Sequence, residues 1–290
     1  MIRGRGIDLK KISVLGAGVM GAGIAQEAAR AGYTVILRDL QKSLVNDGLK
    51  SIKRGLQRWE ENKLIPANEK EEILGRITGT TDLAVAGDVD LVIEAVVENM
   101  AVKKQLFAEL DNICPDHTVL VTNTSSLSIS EIASSTHRQN KVMGMHFFYP
   151  VPATRLVELV RGMATSDETL KLAQGFCSRI AKETVVVKRE SPGYIVNRIM
   201  VPYLNEAIHV LGEGLAEREE IDLAMKLGAG MPQGPLEIAD TIGLDYLNTV
   251  ILTFYNEFRD PKYRPHTLFS TMIRAGYLGK KSGKGFYEYK

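Results

Sequence analysis

The sequence predicts an α/β protein: an N-terminal, mostly parallel β-sheet with a helical-hairpin insertion, followed by a smaller all-α domain. Three observations predict it. Short apolar runs alternate with helical stretches as far as Val187, the pattern of strand–helix–strand units. A glycine-rich turn joins the first apolar run to the first helix. The breaker cluster Glu190-Ser191-Pro192-Gly193 then ends the alternation, and each periodic stretch after it reads as a helix. The expected domains are therefore 1–190 and 191–290.

Ile12 to Leu15 reads as a buried strand, Gly16-Ala17-Gly18-Val19-Met20-Gly21 as a turn, and Ala22 to Gln26 as the continuing helix. In this strand–GxGxxG–helix order each glycine has a reason. Gly16 permits the tight turn, Gly18 lets backbone approach a pyrophosphate, and Gly21 lets the helix pack close to the sheet. The N–H groups of that helix, around Val19 and Met20, then face the phosphates. The first domain is thus expected to be a Rossmann-type dinucleotide-binding unit. Thr34 to Leu37 is its second strand and ends at Arg38-Asp39. Asp39 lies eighteen residues beyond Gly21, near the roughly 20 expected of the acid that bonds the adenosine ribose. A carboxylate there accepts from the 2′-hydroxyl and repels a 2′-phosphate, so NAD(H) is the expected cofactor. Arg38 is the counter-indication, a basic neighbour able to take a phosphate.

Residues 41–75 read as a helical hairpin, with Asn62 to Ala67 as its turn and Glu69 to Ile73 as its second helix. Leu49, Ile52, Leu56 and Trp59 recur at helical spacing and should face the core. Lys50, Lys53, Arg54 and Arg58 share another face. A solvated surface and a cradle for an anionic nucleotide tail both explain that face.

Asp90 to Ala95 and Thr118 to Thr122 are further buried strands, separated by a helix from Val102 to Ile113. Polar residues at the carboxyl ends of parallel strands lie where ligands bind in such sheets. Glu98, Lys103 and the cluster Asn123-Thr124-Ser125-Ser126 are therefore candidates. Ser128 with Glu131 resembles a capping box. Lys141 to His146 is a strand, Phe147 to Pro152 leaves it, and Leu156 to Val160 reads as a strand returning. A compact return brings His146 and Glu158 together. The carboxylate would fix the imidazole tautomer and leave the other nitrogen to exchange a proton with a substrate hydroxyl. Glu158 lies inside an apolar run, where an unpaired carboxylate is costly. Asp167 to Ile180 is a helix and Thr184 to Val187 the last strand. The second domain reads as helices over 194–211, 217–227, 235–242, 245–258 and 267–275. Asn197 stands just inside the first, where it would face the inter-domain cleft.

The 290 residues carry a net charge of +1 and 44% hydrophobic residues. That balance offers no argument for nucleic acid or a membrane surface, and no run of about 18 apolar residues suggests a membrane span. The basic start, Met1 to Gly6, has no apolar segment behind it, so no secretory signal is read. Cys114 and Cys177 form no CxxC pair and read as buried thiols in a reducing compartment, which points to the cytoplasm. The five histidines are scattered, so no metal is expected.

Several stretches together resemble one family. In order they are Gly16-Ala17-Gly18-Val19-Met20-Gly21-Ala22-Gly23-Ile24-Ala25, Val92-Ile93-Glu94-Ala95-Val96-Val97-Glu98-Asn99, Asn123-Thr124-Ser125-Ser126-Leu127, His146-Phe147-Phe148-Tyr149-Pro150-Val151-Pro152, Ser191-Pro192-Gly193-Tyr194-Ile195-Val196-Asn197-Arg198 and Gly283-Lys284-Gly285-Phe286-Tyr287. The chain resembles the short-chain L-3-hydroxyacyl-CoA dehydrogenases over almost its whole length. Its length and tail resemble their bacterial 3-hydroxybutyryl-CoA dehydrogenase branch.

The resemblance implies reversible NAD-dependent oxidation of a 3-hydroxyacyl-CoA, with 3-hydroxybutyryl-CoA as the expected substrate. It implies that His146 is the general base with Glu158 as its orienting partner, and that Ser125 and Asn197 hydrogen-bond the reacting oxygens. Asp39 takes the adenosine ribose, while Glu98, Lys103 and Asn123 lie along the ribose and nicotinamide. Ser51 and Arg58 match positions that touch coenzyme A, which favours the cradle reading for Lys53 and Arg54. It also implies a homodimer through the helical domain. Arg58 replaces the family's lysine, and Tyr149 stands where asparagine is common. Two rivals remain: a related dehydrogenase of free hydroxyacids or polyols, and a dinucleotide-binding protein without catalysis. Residues 48–58 discriminate against the first, because a free acid needs no long basic helix. Intact His146, Glu158 and Asn197 discriminate against the second.

Overall fold

The apolar runs of the first half form a single sheet. Its strands are β1 (Lys11–Leu15), β2 (Thr34–Arg38), β3 (Ile77–Thr80), β4 (Leu91–Glu94), β5 (Val119–Thr122), β6 (Val142–Phe147), β7 (Leu156–Val160) and β8 (Glu183–Val187), in the order β3-β2-β1-β4-β5-β6-β7-β8. Neighbours pair in parallel except β6 and β7. This is a computed structural model, and it describes residues 9–66 and 68–289. The start, Met1 to Gly6, and Ala67 of the expected turn lie outside the described residues. The order changes direction between β1 and β4, so the loops leaving them part and open a crevice at the carboxyl edge. β4, β5 and β6 are buried at every position, as strands covered on both faces must be.

The helices are α1 (Val19–Arg30), α2 (Lys42–Glu61), α3 (Glu69–Gly75), α4 (Met100–Ile113), α5 (Ile129–Ala133) and α6 (Asp167–Arg179). The expected apolar stripe of α2 faces inward: Ile52 and Leu56 are buried, and Leu49 and Trp59 pack against the same core. The capping box at α5 is only half formed. Ser128 accepts the Glu131 N–H, but the Glu131 carboxylate turns to Lys104. Glu190 takes the Ser128 hydroxyl and the Ser130 N–H instead. Strand β3 was not expected from the sequence. Its Ile-Thr-Gly-Thr is a four-residue edge strand, too polar to show as an apolar run.

The chain divides into two compact units, Met1–Glu190 and Ser191–Lys290. The second is built from α7 (Val196–Gly212), α8 (Arg218–Gly228), α9 (Pro235–Ile242), α10 (Leu244–Phe258) and α11 (Thr267–Arg274). Its core centres on Leu204, Ile208, Leu236, Leu247 and Phe254. Helix α7 starts two residues later than expected, because Gly193 and Tyr194 both have positive φ, which holds off the helix. The C-terminal Gly-Lys-Gly-Phe-Tyr block is anchored by the buried Asp240, which accepts the Phe286 and Tyr287 N–H groups.

Candidate active site

The glycine turn is shaped from two sides. Gly16 has φ +101°, and a Cβ on it would lie 2.4 Å from the Ala95 carbonyl oxygen at the end of β4. Only glycine passes there. Gly18 is the N-cap of α1 and supplies no capping side chain. The first-turn N–H groups of Val19, Met20 and Gly21 are thus left for an anion. Space for a Cβ at Gly18 is open, with no atom within 4 Å. This uncapped helix start beside open space fits the pyrophosphate of NAD. Asp39 holds the turn through both of its carboxylate oxygens. Its Oδ2 accepts the Ala17 N–H at 2.7 Å and its Oδ1 the Leu40 N–H at 2.7 Å. Each carboxylate oxygen keeps a further lone-pair site, so holding the turn and bonding a ribose are compatible.

At the carboxyl ends of β4 and β5 the candidates form one network. Glu98 Oε1 accepts the Thr124 hydroxyl and the Ser125 N–H, the latter at 3.1 Å. Lys103 is buried: it is 1% exposed, with Nζ 2.6 Å from Glu94 Oε1 and 3.4 Å from Glu98 Oε2. Asn123 Oδ1 accepts the Phe147 N–H at 2.8 Å. Asn123 is thereby tied to the strand that carries His146.

The antiparallel pairing of β6 and β7 sets His146 directly opposite Glu158. Both side chains are buried, and Nδ1 lies 2.8 Å from Glu158 Oε2. The Phe148 ring lies 4.4 Å from the imidazole, centroid to centroid. The segment between the two strands is held from below. Lys182 Nζ donates to the carbonyls of Val151 and Thr154. Burial pushes its ammonium below the usual lysine value, with Glu27 beside it pulling the other way.

On α2, Ser51, Lys53, Arg54 and Arg58 are all exposed. Lys50, Lys53 and Arg54 line one groove together with Asp47 and Gln57. The structure thus brings together Lys53 and Arg54 but leaves Ser51 and Arg58 out of that groove's lining. Asn197 lies in the first turn of α7 and is buried. Among the described residues, no cluster of three or more His, Cys, Asp or Glu side chains could hold a metal ion, and no helix is long and apolar enough to cross a membrane.

Sequence reasoning missed Glu94, Thr122 and Glu190 as structural partners of the site. Glu94 had a visible signal, since it ends the apolar run Leu-Val-Ile-Glu much as Glu158 interrupts its own. Glu190 had none, because its partners Ser128 and Ser130 lie some sixty residues away.

Residues 11–191 match the family model of the 3-hydroxyacyl-CoA dehydrogenase NAD-binding domain, and residues 193–289 match that of the 3-hydroxyacyl-CoA dehydrogenase C-terminal domain. A 3-hydroxybutyryl-CoA dehydrogenase of Clostridioides difficile is 45% identical over 279 residues, covering 96% of this chain and 99% of its own. A mitochondrial hydroxyacyl-coenzyme A dehydrogenase of Rattus norvegicus is 42% identical, covering 98% and 92%. The crystal structure of an (S)-3-hydroxybutyryl-CoA dehydrogenase from Ralstonia eutropha superposes with a TM-score of 0.94 at 42% identity, covering 98% of this chain and 100% of that one.

Proposed function

Because the chain belongs to the 3-hydroxyacyl-CoA dehydrogenase family, we propose the following division of labour for its NAD-dependent oxidation of (S)-3-hydroxyacyl-CoA to 3-oxoacyl-CoA. His146 Nε2 takes the proton from the 3-hydroxyl. Glu158 holds Nδ1 at 2.8 Å, which fixes the tautomer and stabilises the imidazolium that forms. In the reductive direction the same nitrogen returns the proton to the forming alkoxide. Ser125 and Asn197 hydrogen-bond the reacting oxygens. Bound NAD supplies the hydride acceptor. The glycine turn, Asp39, Glu98, Lys103 and Asn123 hold it, the last three along the ribose and nicotinamide. The first unit is the cofactor domain, and the helical unit is the substrate and dimerisation domain. The observation that carries this reading is the buried His146–Glu158 pair, since a site for binding alone has no need of a paired imidazole in the core.

The acyl group is carried by coenzyme A, and 3-hydroxybutyryl-CoA is the substrate we assign. Among the described residues, Lys53, Arg54 and Arg58 have no carboxylate within ion-pair distance. Their charges are available to phosphates. Replacing Arg54 and Arg58 together by alanine should raise KM for acetoacetyl-CoA about tenfold, at a cost near 1.4 kcal/mol, and leave kcat close to wild type. The same assay decides the substrate class: NADH should be oxidised rapidly with acetoacetyl-CoA and slowly with free acetoacetate. Equal rates would sink the coenzyme A assignment.

The chain works as a homodimer through its helical unit. Ile199, Leu215 and Leu227 expose 69%, 67% and 78% of their surfaces there, and a partner copy is what we propose covers them. Sedimentation at micromolar concentration should give the mass of two chains, and a monomer would refute the assignment. Cys114 and Cys177 are buried thiols rather than a disulfide, pushed up to about 11 and about 12 by burial. Such unreactive thiols suit the cytoplasm, where we place the protein.

A further inference from the structure

Glu94 is fully buried at the end of β4, and each of its oxygens serves a different segment. Oε1 accepts from Lys103 Nζ at 2.6 Å and from the Val96 N–H at 2.7 Å. Oε2 accepts the Thr122 hydroxyl at 2.6 Å. Its backbone carbonyl accepts the Asn123 N–H at 2.7 Å. The Val96 bond fixes the peptide that follows Ala95, whose carbonyl oxygen borders Gly16. One carboxylate therefore meets the three stretches that form the cofactor edge: the turn against the glycine loop, the Glu98–Lys103 pair, and the head of the Asn123–Ser126 cluster.

The charges explain why the position calls for a carboxylate. Lys103 is as buried as Glu94 and has two acid partners, Glu94 at 2.6 Å and Glu98 at 3.4 Å. The closer one neutralises it. That leaves Glu98, whose side chain is 39% exposed, to hold Thr124 and Ser125. If Glu94 loses its charge, Glu98 is, among the described residues, the acid left within ion-pair distance of the buried ammonium. An unpaired buried cation is costly. Glu98 would be drawn toward Lys103 and away from Ser125.

We propose that Glu94 is a positioning residue for NAD binding: it neutralises Lys103 and so frees Glu98 to hold the Asn123–Ser126 loop in its cofactor-binding form. This rests on the reading that Glu98, Lys103 and Asn123 line the cofactor. Glu94 itself touches neither substrate nor cofactor.

The test is NADH binding followed by fluorescence titration, which needs no turnover and so stays readable even if the roles of His146 and Glu158 are wrong. Glu94→Gln should weaken NADH binding about tenfold or more and raise KM for NAD in step, with kcat changed less and its pH profile unmoved. Lys103→Met removes the charge that Glu94 serves. The double variant Glu94→Gln/Lys103→Met should then bind NADH no worse than Lys103→Met alone. Additive losses in the double variant would overturn the proposal, and so would a lower thermal midpoint in Glu94→Gln with unaltered NADH affinity. Thr122→Val keeps both charges and removes one donor to Glu94, so it should bind NADH within about twofold of wild type, and a severalfold loss would overturn the charge account. If Glu94→Gln does not fold, the double variant, which buries no unpaired cation, carries the comparison with Lys103→Met.

Discussion

Replacing His146 with glutamine should lower kcat about 10²- to 10⁴-fold, the range a positioned general base supplies, in both directions of the reaction. KM for acetoacetyl-CoA and NADH should stay within a few fold, because the proposed division of labour holds the cofactor and the coenzyme A tail with other residues. Glutamine is the informative choice. Its amide N–H can still donate to Glu158 Oε2, so the buried carboxylate keeps a partner. Alanine would remove the donor to Glu158 Oε2 and open a cavity beside it, at a cost of about 1–3 kcal/mol, which mixes stability with chemistry. The thermal midpoint of His146→Gln should therefore move by only a few degrees. Steady-state assays with acetoacetyl-CoA and NADH, run beside a melting curve, check both. Near-normal turnover would falsify the proton-transfer role.

The pairing behind that experiment was legible in the sequence for a definite reason. An acid within Leu-Val-Glu-Leu-Val has to find a partner once the run is buried, and the proline-stiffened return from β6 limits where it can look. The register His146 opposite Glu158 satisfies it. The parallel strands were legible for the same reason, since burial on both faces demands unbroken apolar residues. What stayed hidden obeys other rules. Among the described residues β3 is an edge strand paired with β2 alone, so Thr78 and Thr80 are tolerated there and no apolar run marks it. Lys103 was legible as a candidate from its place after β4, but helix periodicity cannot show that two acids meet its ammonium in the interior. Asp39 was read from its distance to the glycines, yet its bond to the Ala17 N–H depends on how the turn folds back over β2. Local pattern reports how a segment meets the core, whereas a polar network reports which segments meet one another.

Gly21→Ala should cost both stability and cofactor binding, and a neighbouring variant separates the two. A Cβ at Gly21 would lie 1.7 Å from the Gly16 carbonyl oxygen and 2.9 Å from its carbon. Both are backbone atoms, and Gly16 has little freedom to retreat. Its N–H is bonded to the Arg38 carbonyl at 2.8 Å, and its own α-carbon faces the Ala95 carbonyl. Helix α1 must therefore shift away from the sheet. Overpacking of this kind costs about 1–3 kcal/mol, enough to lower the thermal midpoint by roughly 2–4 °C for each kcal/mol in a domain of this size. The shift moves the Val19 and Met20 N–H groups, so NAD affinity should fall about tenfold or more. Gly18→Ala is the counterpart. Its φ of −66° suits alanine, and nothing lies within 4 Å of the new methyl, so the melting curve should match wild type. If the pyrophosphate approaches Gly18 as proposed, the methyl stands in its way, and KM for NAD should still rise. A Gly18→Ala enzyme with wild-type NAD affinity would mean that the turn only packs α1 against the sheet, leaving the phosphates to be held elsewhere.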